Sequence, residues 1–378
     1  MIKNALLTFS LIASISLTTS LPVNAQVATR AKQAIVIDYD TGAILMAKNA
    51  DNQMPTSSMS KVMTMYVVFE ALKNDILSLN DKLPVSEKAW RMGGSKMFVE
   101  VGKRVKVEDL VRGVIIQSGN DATIVLAEGI SGTEDSFAEL LNSKAAELGM
   151  ISSQFKNASG WPVDGHYSTA RDLSALGIAM VKDFPDLYGY YSEKEFAFNN
   201  IKQANRNPLL YRNIGADGIK TGHTEIAGYG LIGSGTQNGR RVVIVVNGLE
   251  DQRARAEESA KLLEWGLKRC ENKTLIASND IIEDAQVVMG QAENVGIILK
   301  EDLFVTLPKL RAADINVKIN YEGPLVAPVK AGQEIGTLEL TAPDMEPITR
   351  IVYAANDVAS LGLISKTMAK AKLFLAGL

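Results

Sequence analysis

Asp217-Gly218-Ile219-Lys220-Thr221-Gly222-His223-Thr224 is followed by two more short runs, Tyr229 to Gly235 and Arg241 to Gly248. The spacing predicts three consecutive strands, Ile219 to Thr224 and then these two runs. Gln237-Asn238-Gly239 between the last two is hairpin chemistry, because Asn and Gly accept the positive φ that such turns need. Working outward, Ala34-Ile35-Val36-Ile37-Asp38-Tyr39 and Ala43-Ile44-Leu45-Met46-Ala47 form a second pair around the turn Asp40-Thr41-Gly42. Pro55-Thr56-Ser57 opens a helix running to about Leu72, with Val62, Met65, Val68, Phe69 and Leu72 at helical spacing. Residues 105–130, 134–149 and 169–182 also read as helical, and a helix follows the last strand from about Arg255 to Lys268. Strands at both ends and helices between them predict an α+β fold. One antiparallel sheet has its two ends meeting around a helical block.

The texture changes after Lys273. Residues 275–355 are short apolar runs punctuated by Asn-Asp, Gly-Gln, Glu-Gly-Pro and Ala-Gly, the pattern of a small all-β domain. The tail from Leu361 carries Ile364, Met368, Leu375 and Leu378 on one helical face, with Lys366, Lys370 and Lys372 and no acid. This predicts an amphipathic helix, either an anchor in inner-membrane lipid or a helix docked on its own protein. At the other end, Lys3, an apolar core from Ala5 to Leu21 and the small-residue tripeptide Val23-Asn24-Ala25 read as a removable export signal. The expected organisation is a signal peptide over 1–25, an α+β domain over 26–272, a β-rich domain over 273–360 and the C-terminal helix over 361–378. Such a protein works in the periplasm, on the outer face of the cytoplasmic membrane.

Composition excludes several classes. The chain has 378 residues, 46% of them hydrophobic, which is too apolar for a disordered chain. Forty basic residues against 43 acidic leave no surplus to neutralise a phosphate backbone, so no nucleic-acid partner is expected. One cysteine, Cys270, forms no internal disulfide and no thiolate cage. Two histidines, His166 and His223, leave little material for a metal site or a Ser-His-Asp triad, and no cofactor is expected.

Three short motifs carry the chemistry. Ser58-Met59-Ser60-Lys61 puts a serine and a lysine one helical turn apart on one face. A serine needs a base to become a nucleophile, and lysine serves if burial or nearby positive charge holds it neutral. Ser118-Gly119-Asn120 lies in a short break between helical stretches and offers a hydroxyl relay and an amide for substrate. Lys220-Thr221-Gly222 lies on a strand, offering positive charge, an anion donor and room for a backbone to approach. Second copies, Ser153-Gln154-Phe155-Lys156 and Ser78-Leu79-Asn80, show that the first two patterns arise by chance. The order of the three motifs, 60 and 102 positions apart, is the informative feature.

This trio is that of penicillin-binding proteins and class A β-lactamases. Gln117 to Ala122, Ser168 to Leu173, Asp217 to Thr224 and Ala227-Gly228-Tyr229 resemble the low-molecular-weight penicillin-binding proteins of the D-alanyl-D-alanine carboxypeptidase type. The resemblance implies a β-lactamase/transpeptidase-like domain followed by a small β domain. It implies removal of the terminal D-alanine from peptidoglycan stem peptides ending in D-Ala-D-Ala, and acylation by β-lactam antibiotics. On this resemblance Ser58 matches the nucleophile, Lys61 its base, and Ser118 and Asn120 the second motif. Lys220, Thr221 and Gly222 match the third motif. The backbone N–H groups of Ser58 and His223 match the oxyanion hole. Arg255 resembles the arginine near the carboxylate-binding strand, and Arg206 is a similar candidate. Ser159-Gly160-Trp161 stands where some relatives have His-Gly-Leu, so no role of that histidine transfers. D,D-endopeptidase or transpeptidase action, a β-lactamase and a non-catalytic wall-binding module are the alternatives. A β-lactamase usually lacks the β domain and tail, and the Glu-x-x-x-Asn deacylation motif is not evident.

Overall fold

The computed structural model describes residues 27–309, 314–342 and 347–362, with 365 and 367. The expected signal peptide, and nearly all of the expected C-terminal helix, lie outside the described residues. Strands β1 (Gln33–Asp38) and β2 (Ile44–Lys48) lead through a 3₁₀ turn, Ser57–Ser60, into α1 (Lys61–Lys73). Then come β3 (Lys82–Pro84), α2 (Glu87–Arg91), β4 (Arg104–Lys106), α3 (Val107–Ile115), α4 (Asn120–Ser131) and α5 (Glu134–Glu147). After a long loop follow α6 (Ala170–Asp183), α7 (Pro185–Tyr188), β5 (Glu195–Phe198) and β6 (Ile201–Ala204). The unit closes with β7 (Ala216–Thr224), β8 (Gly228–Gln237), β9 (Arg240–Leu249) and α8 (Gln252–Arg269).

The main sheet runs β2-β1-β9-β8-β7, and every pairing in it is antiparallel. The first and last strands of the unit therefore meet, Ala34 opposite Val246 and Val36 opposite Ile244. Alternation along the strands divides the sheet between two cores. Ile35, Ile37, Ile219, Ile232 and Val245 face the helical block, while Val36, Leu231, Val242, Ile244 and Val246 face α8. Helix α1 is buried on nearly all sides, from Lys61 to Phe69 without interruption. It is the central helix of the block, not an amphipathic one on its surface. The helical reading of 105–130 needs correction at its start alone, since the break around Ser118 is the expected one. The segment starts on a strand and is broken at residues 116–119, where Ser118 takes φ 59°. Strand β7 is left at the sheet edge beside the 3₁₀ turn, and this position sets up the site.

Beyond α8 the chain is all β: β10 (Cys270–Ile276), β11 (Glu283–Val288), β12 (Asn294–Ile298), β13 (Leu303–Pro308), β14 (Asn316–Tyr321), β15 (Leu325–Val326), β16 (Glu334–Thr341) and β17 (Ile348–Ala354). Six of these make a sheet ordered β14-β16-β17-β12-β11-β15 over its own core, and β10 pairs with β13. A polar cluster joins the two parts. Arg240 Nε donates to Asp38 Oδ2 at 2.6 Å, both side chains being buried. Asn272 Nδ2 donates to Asp38 Oδ1 at 3.1 Å, and Thr306 Oγ1 donates to Asn272 Oδ1 at 2.9 Å.

Candidate active site

The 3₁₀ turn presents half-buried Ser58, and the first residue of α1, Lys61, is wholly buried beneath it. Lys61 Nζ lies 3.0 Å from Ser58 Oγ, 2.7 Å from Asn120 Oδ1 and 2.6 Å from the Ser159 carbonyl. A neutral amine satisfies this arrangement fully. Two N–H groups donate to Asn120 and Ser159, and the lone pair faces the serine hydroxyl. Burial, reinforced by the charge of Arg206 and opposed by Asp121, lowers the Lys61 ammonium from its ordinary value to about 7.

Asn120 is fixed at both ends, since its Nδ2 donates to the Gly93 carbonyl at 2.9 Å. An amide has a second N–H and a second lone pair, so this anchoring leaves the expected bond from Asn120 to substrate chemically available. Ser118 is buried, and its Oγ has no hydrogen-bond partner among the described residues. On the edge strand, Lys220 and Thr221 are buried and His223 is exposed. The lysine is therefore not a solvated strand residue. Burial, then the charges of Lys61, Arg206 and Arg255, drives its ammonium well below the usual value. Arg255 lies over the Tyr229 ring at 5.4 Å, and His223 stacks on the same Tyr229 ring at 3.9 Å between centroids. Burial lowers Arg255 to about 10, and its Nε has no partner among the described residues. Arg206 donates to Ser95 Oγ at 2.5 Å.

These groups share a cleft of about 390 Å³ lined by Ser58, Ser118, Arg206, Thr221, Gly222, His223 and Arg255, with Ser95, Tyr229 and Gln252. Lys61, Asn120 and Lys220 lie behind its wall. No acidic side chain lines it, so it suits an anion, and two arginines with the strand hydroxyl of Thr221 suit a carboxylate. A second cleft of about 380 Å³ opens between 53–57 and 160–167 and holds no nucleophile–base pair of this kind. Its His166 Nε2 is 2.7 Å from Ser60 Oγ, but Nδ1 accepts the Lys156 N–H rather than facing a carboxylate, so no triad forms there. The second Ser-x-x-Lys copy is inert: Ser153 Oγ donates to Asp172 at 2.6 Å.

Several residues of the site escape the motifs. The Ser159 carbonyl and Ser95 are two. Asp121 is a third: its carboxylate accepts from the backbone N–H groups of Met97, Phe98 and Val99, at 2.8, 2.8 and 3.2 Å, and holds the segment after Ser95 in place. An acid directly after Asn120 at a helix start was the available signal.

Residues 19–251 match the D-alanyl-D-alanine carboxypeptidase family. The chain belongs to this family. Residues 271–360 match the C-terminal domain of penicillin-binding protein 5. The D-alanyl-D-alanine carboxypeptidase DacC of Escherichia coli is 41% identical over 82% of this chain and 79% of its own. The crystal structure of the D-alanyl-D-alanine carboxypeptidase DacD from Francisella tularensis superposes with a TM-score of 0.83 at 32% identity, covering 89% of this chain and 96% of that one. Penicillin-binding protein D2 of Listeria monocytogenes, solved in an ampicillin-bound form, gives a TM-score of 0.58 at 33% identity over 63% of this chain and 98% of that one. This D-alanyl-D-alanine carboxypeptidase is a serine hydrolase with the penicillin-binding protein fold, a mixed helix and sheet unit followed by a β domain. Among the described residues no group of metal-binding side chains occurs, and no helix is long and apolar enough to cross a membrane.

Proposed function

We propose that Ser58 attacks the carbonyl between the two terminal D-alanines of a peptidoglycan stem peptide. The contact between Lys61 Nζ and Ser58 Oγ, made by a wholly buried amine whose other partners are fixed, carries this reading. Lys61 takes the hydroxyl proton as the C–O bond forms. The oxyanion accepts from the backbone N–H groups of Ser58 and His223. Thr221, Lys220, Arg255 and Arg206 receive the terminal carboxylate, whose negative charge favours the protonated form of Lys220. Ser118 relays the proton to the departing amine as the C–N bond breaks, and D-alanine leaves. Water then hydrolyses the ester, returning the proton to Ser58. Asn120 acts by positioning Lys61. The substrate backbone pairs with the free edge of β7 as an added strand.

A β-lactam presents the same acyl group and carboxylate and stalls at the ester, in keeping with the ampicillin-bound relative. We read residues 1–25 as an export signal, 26–272 and 273–360 as the two folding units, and 361–378 as an amphipathic helix able to reach inner-membrane lipid. The enzyme then works in the periplasm. The test is labelling of the mature protein by fluorescent penicillin with mass spectrometry of the adduct. The parent labels on Ser58 and releases D-alanine from a D-Ala-D-Ala tripeptide. Ser58→Ala does neither, and retained labelling would remove Ser58 from its role.

A further inference from the structure

The turn that carries Ser58 has no side-chain cap and is wedged between two glycine surfaces. On one side Gly160, at φ +77°, lies against the Ser57 carbonyl, where a Cβ would come within 1.9 Å of the oxygen. On the other side Gly222 of β7 stands opposite Gly230 of β8, so both lack a side chain on the same face of the sheet. Met59 fills the notch they leave and is wholly buried. A Cβ on Gly230 would stand 2.6 Å from Met59 Cε and 3.1 Å from Sδ. A Cβ on Gly222 would stand 3.1 Å from Met59 Cγ and 3.3 Å from its backbone nitrogen. Asn247 Oδ1, buried and without a partner among the described residues, closes the floor 2.5 Å from that same Gly230 Cβ. Gly222 belongs to the Lys-Thr-Gly motif, whereas Gly230 and Met59 belong to no assigned function.

We propose that Gly230 and Met59 form a seat that fixes the spacing between Ser58 and the edge strand, and with it the two N–H groups assigned to the oxyanion. The inference rests on that assignment. Met59 directly follows the nucleophile in a single 3₁₀ turn, so its main chain cannot shift without carrying Ser58. Its methyl end is enclosed, so a methyl group added at Gly230 drives the side chain out of the notch and the turn away from β7. Losing one oxyanion donor costs roughly 10²–10³ in rate, so a small displacement registers strongly. Both are positioning residues, touching neither substrate nor reacting atoms.

The experiment compares Gly230→Ala, Met59→Ala and the double variant, following the acylation rate with fluorescent penicillin alongside thermal midpoints. Gly230→Ala should acylate at least about tenfold more slowly than the parent. The double variant should acylate at least about threefold faster than Gly230→Ala, because the new methyl occupies the space Met59 vacates. A purely structural role gives additive losses without this rescue. Gly230→Ala within twofold of the parent, or a double variant no faster than Gly230→Ala, overturns the proposal. If Gly230→Ala does not fold, Met59→Ala decides: a fivefold or greater loss of acylation rate in folded protein supports the seat, and an unchanged rate overturns it. A parent unlabelled at Ser58 overturns the assignment beneath the proposal, and the proposal with it.

Discussion

The protonation state of Lys61 lends itself to a direct test. An ordinary lysine, at 10.5, is neutral in roughly one molecule in three thousand at pH 7. At about 7, half the molecules carry the free base, on the order of a thousandfold more. The difference corresponds to about 5 kcal/mol, supplied first by burial and then by Arg206. Lys61 is completely buried, so solvent does not screen this effect. Acylation by a fluorescent penicillin, timed by rapid quench from pH 5 to 9, should therefore fall about tenfold per unit below about pH 6. Arg206→Gln removes the repulsion and moves this limb to higher pH. Lys220→Arg cannot titrate in the range, so a limb that survives in it belongs to Lys61. Stability follows with a defined sign. The folded value lies below the unfolded one, so the unfolded chain binds more protons between pH 7 and 10.5, and stability rises with pH across that window. The stability of Lys61→Met relative to the parent should accordingly be greatest below pH 7 and shrink toward pH 10.5. A rate that stays flat from pH 5 to 9, or a limb unmoved by Arg206→Gln, refutes the reasoning.

Arg255→Gln should raise KM for a D-Ala-D-Ala tripeptide by tenfold or more with a smaller change in the turnover of bound substrate, measured by D-alanine release. Asp38→Ala leaves Arg240 buried without its partner and should lower unfolding free energy by about 3–5 kcal/mol in urea, whereas the active-site labelling of the folded fraction persists.

Much of the fold is legible along the chain because its signals are local. The strands 219–224, 229–235 and 241–248 lie within the observed β7, β8 and β9, and the helices 134–149 and 169–182 fall within about two residues of α5 and α6. The strand pair β3–β4, joined through α2, and the hairpin β5–β6 escape notice. Their strands are only three or four residues long, too short for alternation to stand out in the sequence. The break at Ser118 shows as Ser-Gly-Asn, but nothing in that tripeptide says that Ser118, not Gly119, takes the positive φ. The seven predicted cleft-lining residues meet in space. The groups that complete the base, Asn120 Oδ1 and the Ser159 carbonyl, reach Lys61 from 59 and 98 positions away.

The sequence alone determined most of the succession of strands and helices, the family and the three motifs, because hydrophobic period, turn chemistry and motif order depend on near neighbours in the chain. Only the tertiary structure decided that Lys61 is a wholly buried amine held against Ser58, that Lys220 is buried rather than solvated, and that β7 ends the main sheet among the described residues. Desolvation and Coulomb repulsion act through space, and they depend on which distant segments close over an amine.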